Sequence, residues 1–97
     1  MSAGYVLISF SWDPELDHDK VQAVLGRCKD WLRFHGYQYL VYTTMSSQQL
    51  YTQLRPLQSE GSTIFITAVD PETFSGWMSQ MSLDWLSKPH SPEDFGA

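Results

Sequence analysis

An α+β domain, built as a mostly antiparallel sheet with helices on one face, is the fold class that three features of the sequence predict. Uncharged runs rich in β-branched and aromatic residues recur at positions 5–12, 37–44 and 62–69, each long enough for a strand. Between them, apolar residues fall three and four apart, first at Val21, Val24, Leu25 and Cys28, then at Leu50, Leu54 and Leu57. That is the spacing of helices lying on a sheet. With 97 residues, 42% hydrophobic and 14% aromatic, the chain has material for one core and not for two.

The continuous YVLI at 5–8 predicts a strand covered on both faces and central in the sheet, before Ile8, Phe10 and Trp12 alternate with Ser9 and Ser11. DPELDH at 13–18 reads as a turn, with Asp17 placed to cap the helix that follows. That helix begins near His18, and its stripe extends through Leu32 and His35 with Trp31 on its edge, so two endings fit. Either Gly36 closes it as a C-terminal glycine and one strand follows at 37–44, or it ends near Trp31 and a short strand turns at His35 and Gly36 into a longer one. Ser46 and Gln49 form a capping-box pattern for the second helix, and Pro56 stops or kinks it near Arg55. SEGS at 59–62 is a turn, and the uncharged STIFITAV after it predicts another internal strand. Beyond it, Phe74, Trp77, Met78, Met81 and Trp85 stand at helical spacing; a loop through Gly76 and a helix from about Ser79 to Ser87 are expected. Residues 1–88 make the single domain, and 89–97, rich in proline and without period, a flexible tail.

The net charge of -5 is unevenly spread. Residues 20–33 hold Lys20, Arg27, Lys29 and Arg33 against only Asp30, while the rest of the chain sets Arg55 and Lys88 against ten acids. An overall acidic chain is a poor general nucleic-acid binder, because phosphate neutralisation supplies most non-specific affinity. The basic segment is the exception, and a solvated helix surface accounts for it as well as a phosphate track does. The longest apolar runs are too short to span a membrane and no signal peptide is read, so the expected location is cytoplasmic. Cys28 is the lone cysteine and has no partner for a disulfide or zinc pattern.

The order of strand, helix, split strand, helix and strand is compatible with a ferredoxin-like split β-α-β fold. Four stretches carry a family resemblance: YVLISF at the first strand, YLVYTTMSSQQLYTQLRPL from the long second strand through the proline-ended helix, STIFITAV, and GWMSQMSLDWL. In these the chain resembles the SinR-like family. That family is related in fold to the small dimeric CRISPR adaptation subunit and more distantly to VapD-type ribonucleases. The resemblance implies a homodimer in a bacterial or phage defence setting. It also implies that nuclease-like relatives carry an Asp where the first strand ends, and alignment of VLISFS puts Ser11 at that place in this chain.

Three functions follow. The first is a non-catalytic homodimeric interaction module with a protein partner in preference to a nucleic acid, no membrane and no cofactor. The second is a Mg²⁺-dependent endoribonuclease with a displaced acidic site, for which Ser11 and Asp13 are the candidates. The third is an acidic inhibitor from a mobile element that covers a basic nucleic-acid-binding surface. Asp13 directly precedes Pro14 and reads as a turn residue. His18, His35 and His90 are scattered, and Asp17, His18 and Asp19 point in different directions on a helix, so no metal site is expected. The remaining candidates are Lys20, Arg27, Lys29 and Arg33 for nucleic acid, and Trp77, Met81 and Trp85 for an interface.

Overall fold

In a computed structural model that describes residues 3–70 and 80–87, the opening run forms strand β1 (Gly4–Phe10). Its two-residue alternation divides the molecule. Val6, Ile8 and Phe10 are buried on one face, while Tyr5, Leu7 and Ser9 are half-buried on the other. The remaining elements are α1 (His18–Leu25), β2 (Asp30–His35), β3 (Gln38–Thr43), α2 (Ser47–Leu54), a single 3-10 turn (Arg55–Leu57), β4 (Ile64–Val69) and α3 (Gln80–Ser87). The strands lie in the order β2-β3-β1-β4 and every neighbouring pair is antiparallel. The chain is therefore an α+β domain in which each β-α-β unit is split by a strand of the other: β3 lies between β1 and β2, and β1 between β3 and β4. Among the described residues, no helix is long and apolar enough to cross a membrane.

The core gathers on the face of Val6, Ile8 and Phe10, where Tyr39 and Val41 of β3 join them. Val21 and Leu25 of α1 and Leu50 and Leu54 of α2 close over that face, and all four are fully buried. Both helices start on side-chain caps. Asp17 Oδ1 accepts from the amides of Asp19 and Lys20 at 3.0 and 3.4 Å. Ser46 Oγ accepts from Gln49 N while Gln49 Oε1 accepts from Ser46 N, the reciprocal pair of a capping box. Pro56 falls inside the 3-10 turn, so α2 ends where the missing amide would have broken it.

Three expectations are corrected or extended. The first helix stops at Leu25, short of both endings that its stripe allowed. Gly26 is its cap, and Arg27 N and Cys28 N bond back to Val24 O and Leu25 O as tightened turns. Lys29 N then donates to Tyr42 O and draws the chain into the sheet. Trp31, Leu32 and His35 are strand residues paired with β3, and a bulge between Arg33 and His35 leads into the hairpin turn. Their helical spacing is accidental, because hairpin pairing with β3 outweighs local periodicity. Strand β4, expected to be internal, lies at the sheet edge and among the described strands pairs only with β1. Finally, α1 and α2 share one face, but α3 lies on the other. There Trp85 meets Tyr5 edge-on with ring centroids 5.9 Å apart and its Nε1 donates to Asp30 Oδ2 at 3.0 Å. The expected loop through Gly76 and the tail at 89–97 lie outside the described residues.

Leu25 is fully buried between helix and sheet, so Leu25→Ala should cost roughly 2–5 kcal/mol in denaturant unfolding. A loss within experimental error of zero would place that helix face in solvent.

Candidate functional site

Beyond Phe10 the first strand continues by one more rung. Ser11 N donates to Thr63 O at 3.0 Å and Thr63 N donates to Ser11 Oγ at 2.9 Å, which ties the end of β1 to the approach of β4. Two residues on, Asp13 is buried, only 4% exposed. Its Oδ1 accepts from Ser59 Oγ at 2.7 Å and from Glu15 N at 3.1 Å, and its Oδ2 accepts from Ser59 N at 3.0 Å. Its carbonyl accepts from Leu16 N and from the Tyr37 hydroxyl. The carboxylate thus joins the β1–α1 loop to a turn 46 residues away. In that turn, Ser62 N donates to Ser59 O at 3.2 Å and Gly61 takes φ +86°, a left-handed conformation that a Cβ would strain.

The Ser59 hydroxyl, then the Ser59 amide, hold the Asp13 carboxyl below its ordinary value of 3.8, outweighing the opposite pull of burial. Three of its roughly four lone-pair directions are already filled. That leaves at most one direction open to a further partner. Ser11, the other catalytic candidate, spends its hydroxyl on Thr63 N.

Between these two loops lies a cleft of about 400 Å³, walled by residues 11–15 and 59–62. Trp12 stands on its rim and is 76% exposed, the most exposed large hydrophobic residue described. Glu15 and Glu60, both exposed, line it as well, and no cationic side chain does.

The other candidates do not converge on a single site. Lys20 lies on α1, Arg27 and Lys29 in the turns after it, and Arg33 on β2, so the basic segment is not one helix. Arg27 Nη1 donates to Gln53 Oε1 at 3.3 Å, and Arg33 gives Nε and Nη2 to Gly36 O while its guanidinium carbon stands 5.9 Å from the Tyr39 ring centroid. Two of the four cations are thus engaged within the fold. His18 opens α1, and its Nδ1 lies 2.8 Å from the buried Tyr39 hydroxyl, with the Tyr37 ring 5.3 Å away. Burial, followed by the charge of Arg33, lowers the His18 pKa. Asp17 is a helix cap, so the LDHD segment is a capping device. Burial raises the Cys28 thiol pKa, which keeps it protonated. Trp85 is bound to its own sheet, the side chain of Met81 is outside what the structure describes, and Trp77 lies outside the described residues. Among the described residues, no group of three His, Cys, Asp or Glu side chains is placed to hold a metal ion.

Sequence reasoning missed Ser59, read only as a turn residue, because its partner is far along the chain and no local pattern marks it. It likewise missed Tyr39 with His18 and Trp85 with Asp30. The alternation places Trp12 with Ile8 and Phe10 in the first strand, but β1 ends at Phe10 and Trp12 stands exposed beyond it, where the Asp-Pro turn takes the chain away from the core. No protein-family model, curated protein or solved structure matches the chain.

Because the folded Asp13 pKa lies below its unfolded value, its stabilising effect is present above about pH 4 and disappears as pH falls through the folded value. Asp13→Asn should therefore melt at a lower temperature than wild type throughout pH 5–7, and the two melting curves should converge in stronger acid. A gap that stays constant down to pH 2 would mean that the charge is not what Ser59 holds.

Proposed function

We propose that the chain is a small non-catalytic interaction module that works as a homodimer, with the SinR-like resemblance and the defence setting it implies as its context. The split β-α-β interleaving supports the ferredoxin-like part of this reading. The observation that carries the dimer is the edge strand β4. IFITAV contains no charge and no proline, and Phe65 in its middle is 64% exposed. Edge strands of single-chain domains are ordinarily blunted by lysine, proline or bulges, since their free amides and carbonyls recruit another strand.

The hydrogen-bond alternation identifies which backbone groups of β4 point away from β1; among them the Ala68 carbonyl already accepts from the Thr67 hydroxyl at 3.4 Å. Phe10 N bonds to Tyr37 O and Ser11 N to Thr63 O, so even residues of β1 face β3 and odd ones face β4. In the β1–β4 register, Ser9, Leu7 and Tyr5 oppose Phe65, Thr67 and Val69. These three bond inward, and the backbones of Ile64, Ile66 and Ala68 face the outer edge. A second copy pairing antiparallel along that edge would bury Phe65 against its symmetry mate and extend the sheet to twice its width.

The sequestered Asp13 supports the non-catalytic half of the reading. A nuclease needs carboxylates free to hold its ion, and Asp13 is committed to Ser59. Ser11 offers only a neutral hydroxyl.

Sedimentation at micromolar concentration should show a dimer, burying on the order of 1,200 Å² or more. Phe65→Lys, and separately Ala68→Pro, which removes an outward amide and leaves the bonds to β1 intact, should convert it to monomer without lowering the melting temperature of the domain core. A wild-type protein that sediments only as an 11.2 kDa species would refute the dimer. Purified protein should not cleave single-stranded or structured RNA with Mg²⁺ or Mn²⁺. Cleavage that is lost in Ser11→Ala or Asp13→Asn, with folding intact, would establish the nuclease reading instead.

A further inference from the structure

We propose that the cleft between the β1–α1 loop and the turn before β4 docks an arginine side chain of a basic protein partner, with Trp12 as its stacking surface. The inference rests on the interaction-module reading but not on dimerisation.

Trp12 leaves 76% of its surface in water, although a buried tryptophan ring removes some of the largest apolar area of any side chain. Its backbone is nonetheless held on both sides. Ser11 before it is held by two hydrogen bonds to Thr63, and Asp13 after it by three to Ser59 and Glu15. A backbone pinned at both neighbours presents the indole at a defined place on the rim, so a ligand that stacks on it meets no backbone ordering cost. Tryptophan and arginine are also the side chains most enriched among binding hot spots.

The charge of the cleft selects the ligand. Glu15 and Glu60 line it, both exposed and without an ion pair among the described residues, and no Lys, Arg or His lines it. Beneath them the Asp13 carboxylate stays ionised, because Ser59 keeps its pKa low. Phosphates are repelled by such a lining, and a cation is drawn to it. A guanidinium suits it better than an ammonium: its plane stacks on the indole, its edge offers several donors to carboxylates, and it sheds water more readily. At about 400 Å³ the cleft stands near the lower end of the range for ligand sites, the size for a side chain in place of a cofactor. The partner is thus a protein that presents an arginine from a basic surface.

The test is a titration of ¹⁵N-labelled protein with an acetylated, amidated peptide carrying three arginines spaced by glycine, beside its citrulline counterpart, which keeps the shape and removes the charge. The Trp12 indole N–H is assigned by its absence in Trp12→Phe. The arginine peptide should shift that signal and the amides of Ser59, Glu60, Gly61 and Ser62, more weakly at higher salt, and the citrulline peptide should not. Trp12→Ala should weaken binding about fivefold, and the Glu15→Gln, Glu60→Gln double variant, which keeps the indole and the Asp13 staple, should weaken it by at least as much. Shifts confined to other surfaces, equal binding of the citrulline peptide, or unchanged affinity in both variants would overturn the proposal. Phe65→Lys should bind the peptide as wild type does, so loss of the dimer and loss of the cleft are read separately.

Discussion

A buried carboxylate that must be satisfied is the constraint on which one end of this molecule depends. Asp13 has only 4% of its surface exposed, and a carboxylate there is favoured only with hydrogen-bond donors beside it. Ser59 supplies such donors with its amide and its hydroxyl. In doing so it fixes where two distant loops meet and how β4 enters the sheet. The same bonds anchor the backbone on one side of Trp12, whose indole stands exposed on the rim of the cleft. Stability and surface chemistry are thus coupled at one residue.

The opposite end of the sheet is organised by aromatic contacts. Tyr5 stands 5.0 Å from Tyr42 between ring centroids, and the Trp85 ring meets Tyr5 edge-on while its N–H satisfies Asp30. This gives the second sheet face partial cover, enough that Leu40 and Tyr42 are buried on it. Toward β4 the cover ends and Phe65 is exposed. The sheet therefore grades from a covered side to an open one, and the open side coincides with the uncharged edge.

Strand β1 shows how one segment can serve all of these demands. Its even residues supply the core beneath α1 and α2 and bond to β3, and its odd residues face α3 and bond to β4. No position on it is free to be polar and charged at once. The first acid appears only where the strand has ended, and there it serves as a structural staple. In this chain the carboxylate just past the first strand meets a serine donor opposite.

By itself the sequence determined the elements whose cause is local. Uncharged runs rich in β-branched and aromatic residues became β1, β3 and β4, the capping box at Ser46 and Gln49 became the start of α2, Asp17 became the cap of α1, and the apolar stripes at Val21, Leu25, Leu50 and Leu54 became the core. It left undecided everything that depends on which segments meet. The stripe past Leu25 was equally good as helix or strand, and only pairing of Asp30 to Leu32 with Tyr42 to Leu40 chose the strand. The hydrophobicity of β4 suggested an internal strand, since composition reports that a segment avoids water and not which neighbour lets it do so; the sheet order put it at the edge. Asp13 was legible as a turn residue, but its partner was not, because a hydrogen bond across 46 residues leaves no periodicity in the chain and exists only once the loops have been brought together.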